Sequence, residues 1–334
     1  MPNLKVSSYL FICTLIMGTF MAIFANNWLT VWIGLEINLY SFLPLMSGSS
    51  NSQQKEGMMK YFLVQSVGSG ILWLGIFSSL GSNLGSFIIL TALLLKAGVA
   101  PFHFWFPGVM CSMPWAGCLL LTTTQKIPPI LLISEMYNPT MTSLWGICAL
   151  TALVGGIGGL NQTQLRAILA YSSIGHMGWI IAASLMSTMV SKLMLMAYMV
   201  SVSSIIGMMM IVQITMNSEM SMYSSTTPAY KITMCFLLLS LGGLPPLFGF
   251  FPKLMVLMEL SEGNFIKLSL CLIMGSVLNL YYYLKILYGS FFSTFNKTLL
   301  KNKMMKPHYK LMTWMLFIFS LILSMIFVLP WLML

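Results

Sequence analysis

Apolar residues run along this chain in blocks close to the length of helix that crosses a bilayer, about twenty residues. Short polar connectors such as "MSGSSNSQQKEG" and "MNSEMSMYSSTTP" separate them. Eleven helices are predicted, at approximately 8–24, 28–47, 58–80, 86–105, 116–137, 143–160, 168–186, 192–214, 231–260, 267–290 and 311–333. The ninth is too long for one straight crossing and contains "GGLPP". The expected fold class is an all-α polytopic membrane protein of about 11 transmembrane helices, a single transmembrane domain over 1–334.

Basic residues test that order. With the N-terminus and every even-numbered connector on one side, ten of them fall there: Lys5, Lys55, Lys60, Arg166, Lys231, Lys297, Lys301, Lys303, Lys306 and Lys310. Only Lys192 and Lys267 fall opposite. Cytoplasmic or matrix loops carry the excess of Lys and Arg, so the N-terminus is expected on that side and the C-terminus across the membrane. The "KNKMMKPHYK" cluster around His308 reads as a solvated loop facing lipid headgroups.

The discontinuity in the ninth block has an echo. "GVAPFHFWFP" (98–107) and "GLPPLFGFFP" (243–252) share Gly, Pro, an aromatic, Phe and Pro at matching positions. The helix breaks are assigned to Pro101, Pro107, Pro245, Pro246 and Pro252. The two copies lie five helices apart. Five is odd, so the second set of five must cross the membrane upside down relative to the first. The pattern therefore predicts two inverted five-helix repeats, approximately 8–137 and 143–290, plus one extra C-terminal helix at 311–333. Inverted repeats with paired discontinuous helices are the architecture of secondary transporters. Freed backbone groups at such breaks are tolerated only where protein or a wet cavity satisfies them.

Composition agrees. Hydrophobic residues make up 58% of the 334, charged residues 7%, and mean hydropathy is +0.89. Soluble domains carry about 25% charge, so a water-facing surface is excluded. The net charge of +10 is spread thinly among apolar spans, which speaks against nucleic acid as a partner. The six cysteines lack CxxC spacing and predict neither a metal site nor a disulfide. "GGIGGL" (155–160) ends an apolar helix with no strand before it, so it is no nucleotide loop. The N-terminus lacks a small-residue cleavage site and reads as the first transmembrane helix. The 32 methionines fit a biased genetic code such as a mitochondrial one.

Charges inside the spans carry the candidate chemistry. A charged side chain at the bilayer centre costs roughly 2.5–3.5 kcal/mol even on lenient scales. Glu36 in "LTVWIGLEINLY", Lys96 in the fourth block, Lys126 in "LTTTQKIPPI" and Lys253 beside the second break are therefore candidates for proton exchange. A buried amine whose carboxylate neighbour can approach or retreat loads and releases a proton. Glu36 and Lys96 have the composition for such a pair. His176, in "AYSSIGHMGW", lies beside hydroxyl residues and is a further relay candidate. His103, within the first break, is open to either a relay or a structural role. Lys285 lies near a helix end and is left out.

Three long motifs, "LLLKAGVAPFHFWFP", "GGLNQTQLRAILAYSSIGHMGW" and "SLGGLPPLFGFFPK", join "WIGLEINLYSFLPLM" and "LNLYYYLKILY" in a family resemblance. The chain resembles the chain 2 family of animal mitochondrial NADH:ubiquinone oxidoreductase, respiratory complex I, an antiporter-like membrane-arm subunit. The resemblance implies an inner mitochondrial membrane location and the other membrane-arm subunits and membrane lipids as partners. It implies proton conduction coupled to quinone reduction elsewhere. It also implies a Glu36–Lys96 pair, a central lysine at Lys126 and a far half-channel lysine at Lys253. Flavin, iron–sulfur clusters and ubiquinone are implied for the complex, with no cofactor in this chain. Ala167 follows "QTQLR" where a second basic residue is often found in the family. An independent cation/proton antiporter and a structural spacer subunit are the alternatives.

Overall fold

A computed structural model describes residues 6–46, 52–79, 84–136, 143–212, 228–245 and 247–292. Among the described residues every element is helical: α1 (Val6–Ile23), α2 (Trp28–Met46), α3 (Ser52–Ser79), α4 (Leu84–Ala97), α5 (Trp105–Ser112), α6 (Trp115–Thr122), α7 (Ile127–Glu135), α8 (Ser143–Leu160), α9 (Leu165–Met186), α10 (Thr188–Val212), α11 (Pro228–Gly242), α12 (Phe250–Glu262) and α13 (Ile266–Phe292). Six spans among these are long and apolar enough to cross a membrane, and shorter apolar helices accompany them. The first ten expected helices all fall on described elements. The eleventh, at 311–333, lies outside the described residues, as do Pro246 and His308. Arg166 and Lys231, which the sequence placed in loops, are buried near the starts of α9 and α11.

The chain divides into two compact units, Met1–Ile147 and Cys148–Leu334. In the first, α1 packs on α2 through Gly18 and Gly34. A Cβ at Gly34 would lie 2.7 Å from the Ala22 nitrogen and 2.9 Å from the Gly18 carbonyl oxygen. With no hydrophobic drive between helices in lipid, such small residues let backbones approach and gain dispersion contact. Gly68 and Gly75 do the same between α3 and α4: added Cβ atoms would meet the Lys96 stem at 3.1 Å and the Ile89 backbone nitrogen at 2.9 Å.

In the second unit α9 is buried on nearly all sides, its polar side chains Arg166, Ser172, Ser173, His176 and Ser184 included, as polar groups in a membrane bundle face the protein interior. "GGIGGL" has a packing role there. Gly155 and Gly158 face Gly175 and Tyr171 of α9, while Gly156 and Gly159 face Leu278 and Tyr282 of α13. Two glycine pairs, offset by one residue, thus open two adjacent faces of α8, because positions three apart stack on one side of a helix.

Both motif copies break their helices in the same register. α4 ends one residue before Gly98 and α5 starts at Trp105; α11 ends one residue before Gly243 and α12 starts at Phe250. Gly98 (φ +71°) and Gly243 (φ +82°) are left-handed, a conformation glycine adopts without a Cβ penalty. Val99 N–H donates to Leu94 and Gly98 N–H to Leu95; Leu244 donates to Leu239 and Gly243 to Ser240. This pairing of bonds is the Schellman cap, which satisfies the last carbonyls of a helix. Pro101 and Pro245 lie in the turns. Pro107 and Pro252 instead lie in the first turns of α5 and α12, where an N–H would lack a partner anyway. They begin the second half-helices rather than break the first.

A third break lies where the sequence reading placed one continuous helix, 116–137. α6 stops at Thr122, residues 123–126 form a turn, and α7 starts at Ile127. The cause is local. Pro128 and Pro129 have no N–H for the carbonyls of Thr124 and Gln125. Thr122, Thr123 and Thr124 turn their hydroxyls onto the carbonyls of Cys118, Leu119 and Leu120, at 2.9, 2.6 and 2.9 Å. Gln125 N–H then reaches five residues back to Leu120, and Lys126 N–H only three back to Thr123.

Candidate functional site

Each unit buries lysines at or near its breaks. In the first unit Lys96 lies in the last turn of α4, two residues before the Gly98 cap, and is 7% exposed. The negative end of a helix suits a cation there. Its stem rests against Gly68, and its carbonyl accepts a bond from Gln65 Nε2 at 3.4 Å. The Trp105 indole N–H donates to the neighbouring Leu95 carbonyl at 3.2 Å, so both half-helices of the break are joined.

Glu36 is half-buried in the middle of α2. It acts electrostatically on Lys96 and on Tyr61. Among the described residues, however, Glu36 and Lys96 form no ion pair within 4.0 Å. The pair is in electrostatic reach and out of contact. That separation leaves the strength of the interaction free to change with small movements, since Coulomb energy depends on both distance and local dielectric.

Lys126 is 2% exposed and ends the third break, immediately before α7. Its ammonium lies 4.3 Å from the centre of the Phe106 ring. Phe106 belongs to α5, whose start is set by the first break. Ring faces attract cations by about 0.5–2 kcal/mol, most when desolvated. Gln125, next in the chain, accepts a hydrogen bond from the Tyr61 hydroxyl and donates one to Asn38 Oδ1, each 3.0 Å. The sequence reading missed Asn38, Tyr61 and Gln125. Their signal was faint: neutral polar atoms in apolar blocks, one of them two residues from Glu36 and another adjoining Lys126.

His103 is 7% exposed within the first turn segment, its ring 4.2 Å from that of Phe104. It contacts the Pro101 backbone. These contacts are local to the turn.

In the second unit Lys253 follows Pro252 in α12 and is 6% exposed. Its ammonium donates to the carbonyls of Gly242 at 2.9 Å and Leu241 at 3.3 Å, capping the broken end of α11. A Trp179 ring from α9 lies 5.8 Å away. Gly243 makes room, since a Cβ there would sit 2.8 Å from the Lys253 nitrogen. His176 of α9 is 5% exposed, with its ring 5.5 Å from Tyr198 of α10, and the Tyr198 hydroxyl meets Ser173. Lys285 is exposed on α13.

The six cysteines, the residues an iron–sulfur cluster uses, fit no such site here: among the described residues no three His, Cys, Asp or Glu side chains gather as a metal site.

Buried lysines at or beside breaks in apolar helices are features of membrane subunits of the antiporter type. A family model described as "NADH:quinone oxidoreductase/Mrp antiporter, TM" matches residues 25–80 and 77–279. The chain belongs to that family, among its NADH-ubiquinone oxidoreductase chain 2 members. It is 40% identical over 284 residues to NADH-ubiquinone oxidoreductase chain 2 of Lumbricus terrestris, covering 83% of this chain and 84% of that one. Identity is 39% over 315 residues with the chain of Anopheles gambiae (89% and 90% covered) and 34% over 329 residues with that of Bos taurus (95% and 94%). The fold is similar to a chain of respiratory complex I from Thermus thermophilus, at a TM-score of 0.81 and 22% identity over 97% of this chain and 79% of that one. It is also similar to a chain of the Mrp complex of Dietzia sp. DQ12-45-1b, at 0.77 and 20%, over 84% of this chain and 59% of that one.

Proposed function

We propose that this chain is a core membrane subunit of proton-pumping NADH:ubiquinone oxidoreductase in the inner mitochondrial membrane. It conducts protons through Glu36, Lys96, Lys126 and Lys253, with His176 as an additional relay. Flavin, iron–sulfur clusters and ubiquinone belong to other subunits, and the other membrane-arm subunits are its partners. The observation that carries this reading is the burial of Lys96, Lys126 and Lys253, each at or beside a helix break, in a chain 34–40% identical to chain 2 relatives.

The proposed sequence of events starts with a change relayed from neighbouring subunits. It alters the distance between Glu36 and Lys96, and so the proton affinity of the amine. The proton is passed to Lys126 and onward to Lys253, with waters bridging the intervals. Glu36 and Lys96 interacting without touching supports the first step. Two inverted repeats, with the N-terminus on the matrix side and the C-terminus on the intermembrane-space side, complete the reading. The matched Schellman breaks and the division into two units support the repeats.

Lys96→Met in the assembled complex is expected to cut proton uptake coupled to quinone reduction sharply. Pumping at the wild-type level would sink the role of Lys96. The Mrp likeness keeps a second reading in view, an independent cation/proton antiporter. Sodium-dependent exchange by the isolated chain would favour it, whereas co-purification with flavin and iron–sulfur subunits favours the first.

A further inference from the structure

The third break is tied to the rest of the first unit by one carboxamide. Gln125 lies in the turn at 123–126, where the backbone has lost its regular helical bonding. Its two amide atoms are both used: Oε1 accepts from Tyr61 of α3 and Nε2 donates to Asn38 of α2, each at 3.0 Å. Tyr61 and Asn38 are 1% and 2% exposed. Buried bonds of this kind are costly to leave half made, since an orphaned polar group loses its solvation without return.

The bridge is placed between the two charge sites of this unit. Asn38 lies two residues from Glu36 on α2, and the Glu36 carboxylate acts electrostatically on Tyr61. Gln125 is bonded directly to Lys126, whose ammonium rests on Phe106. The Tyr61 ring is itself fixed, 5.1 Å from Phe42 and 6.0 Å from Trp105. Trp105 begins the half-helix that carries Phe106. One end of the bridge is therefore anchored on α2, the helix that carries Glu36, and the other sets where the Lys126 turn sits relative to its aromatic partner.

We propose that Tyr61, Gln125 and Asn38 form a positioning bridge that holds the Lys126 turn in register with the Glu36 region and so governs proton exchange at Lys126. This rests on the proton-conducting reading above. The three side chains do not carry the proton. They fix the turn that does, and a change near Glu36 reaches Lys126 through them.

Tyr61→Phe is the cleanest probe, because it removes one hydroxyl and keeps the ring between Phe42 and Trp105. Gln125→Leu removes both bonds. Each variant, and the double variant, is compared in the assembled complex in proteoliposomes, measuring proton uptake per NADH oxidised, turnover, and KM for quinone. The yield of assembled complex checks folding. Tyr61→Phe is expected to slow the rate of proton uptake coupled to NADH oxidation by about two- to tenfold, the range one net hydrogen bond spans, with KM unchanged. The double variant is expected to match Gln125→Leu rather than multiply the two losses, since both remove the same link. Wild-type proton uptake in Tyr61→Phe, or independent multiplied losses, would overturn the bridge. Lys126→Met in the same series separates the two ideas. If it pumps normally, the conducting reading fails; if it fails to pump while Tyr61→Phe is normal, only the bridge is wrong.

Discussion

Replacing Gly243 by alanine probes the Lys253 site through its backbone. Two costs arise. Gly243 is left-handed at φ +82°, which strains an L-residue by roughly 1–2 kcal/mol. The new Cβ would also lie 2.8 Å from the Lys253 nitrogen and 2.9 Å from its Cδ, so the lysine must move off the Gly242 and Leu241 carbonyls. A hydrogen bond to a charged group is worth roughly 1.5–3 kcal/mol. Together these disfavour the capped arrangement by roughly 2.5–5 kcal/mol, on the order of a hundredfold or more in population. Gly98→Ala is the internal control. Its φ of +71° carries the same strain, but its Cβ would meet Phe106 and Trp105 no closer than 3.4 Å, and no lysine lies in the way. Only the strain remains, roughly a 5- to 30-fold effect. Proton uptake per NADH oxidised in reconstituted complex, normalised to assembled enzyme, is the assay. Gly243→Ala is expected to resemble Lys253→Met, and Gly98→Ala to lose clearly less. Equal losses at the two glycines, or normal pumping by Gly243→Ala, would refute the reasoning.

Other predictions follow from the same geometry. Phe106→Leu removes the ring face under Lys126 and is expected to weaken its hold by about 0.5–2 kcal/mol, seen as lower proton uptake at unchanged KM for quinone. The double change Pro128→Ala with Pro129→Ala restores two backbone donors to α7; proton uptake is expected to fall while assembled yield holds or rises, and unchanged uptake would show the third break to be dispensable. Gly156→Leu forces a side chain into Leu278 of α13 and is expected to lower the yield of assembled complex on native gels, by roughly 1–3 kcal/mol of overpacking.

Much of this was legible in the residues. Blocks of apolar sequence marked where the described helices lie, because a lipid-facing backbone has few alternatives to a helix. The two Gly-Pro motifs announced the first and second breaks, since left-handed glycine and absent donors act within a few residues of themselves. Lys96, Lys126 and Lys253 were visible because charge inside an oily block is costly. The third break was not read, although Pro128 and Pro129 were in view. Proline near a helix start is unremarkable, and it is the backbone bonds of Gln125 to Leu120 and of Lys126 to Thr123 that show the regular helix stopping first. Nor could sequence pair Gln125 with Asn38 and Tyr61. Those contacts span 87 and 64 residues, and tertiary packing, not local pattern, brings them together. The two-sided role of "GGIGGL" against α9 and α13 needed the neighbours to be seen.

The central claim is that the buried charges move protons rather than merely survive in the membrane. The direct test is the ratio of protons translocated to electrons transferred in assembled complex with Glu36→Gln, Lys96→Met, Lys126→Met and Lys253→Met combined. A fall in that ratio, with assembly intact, is the expected result. An unchanged ratio at normal turnover would make this subunit a spacer and contradict the account.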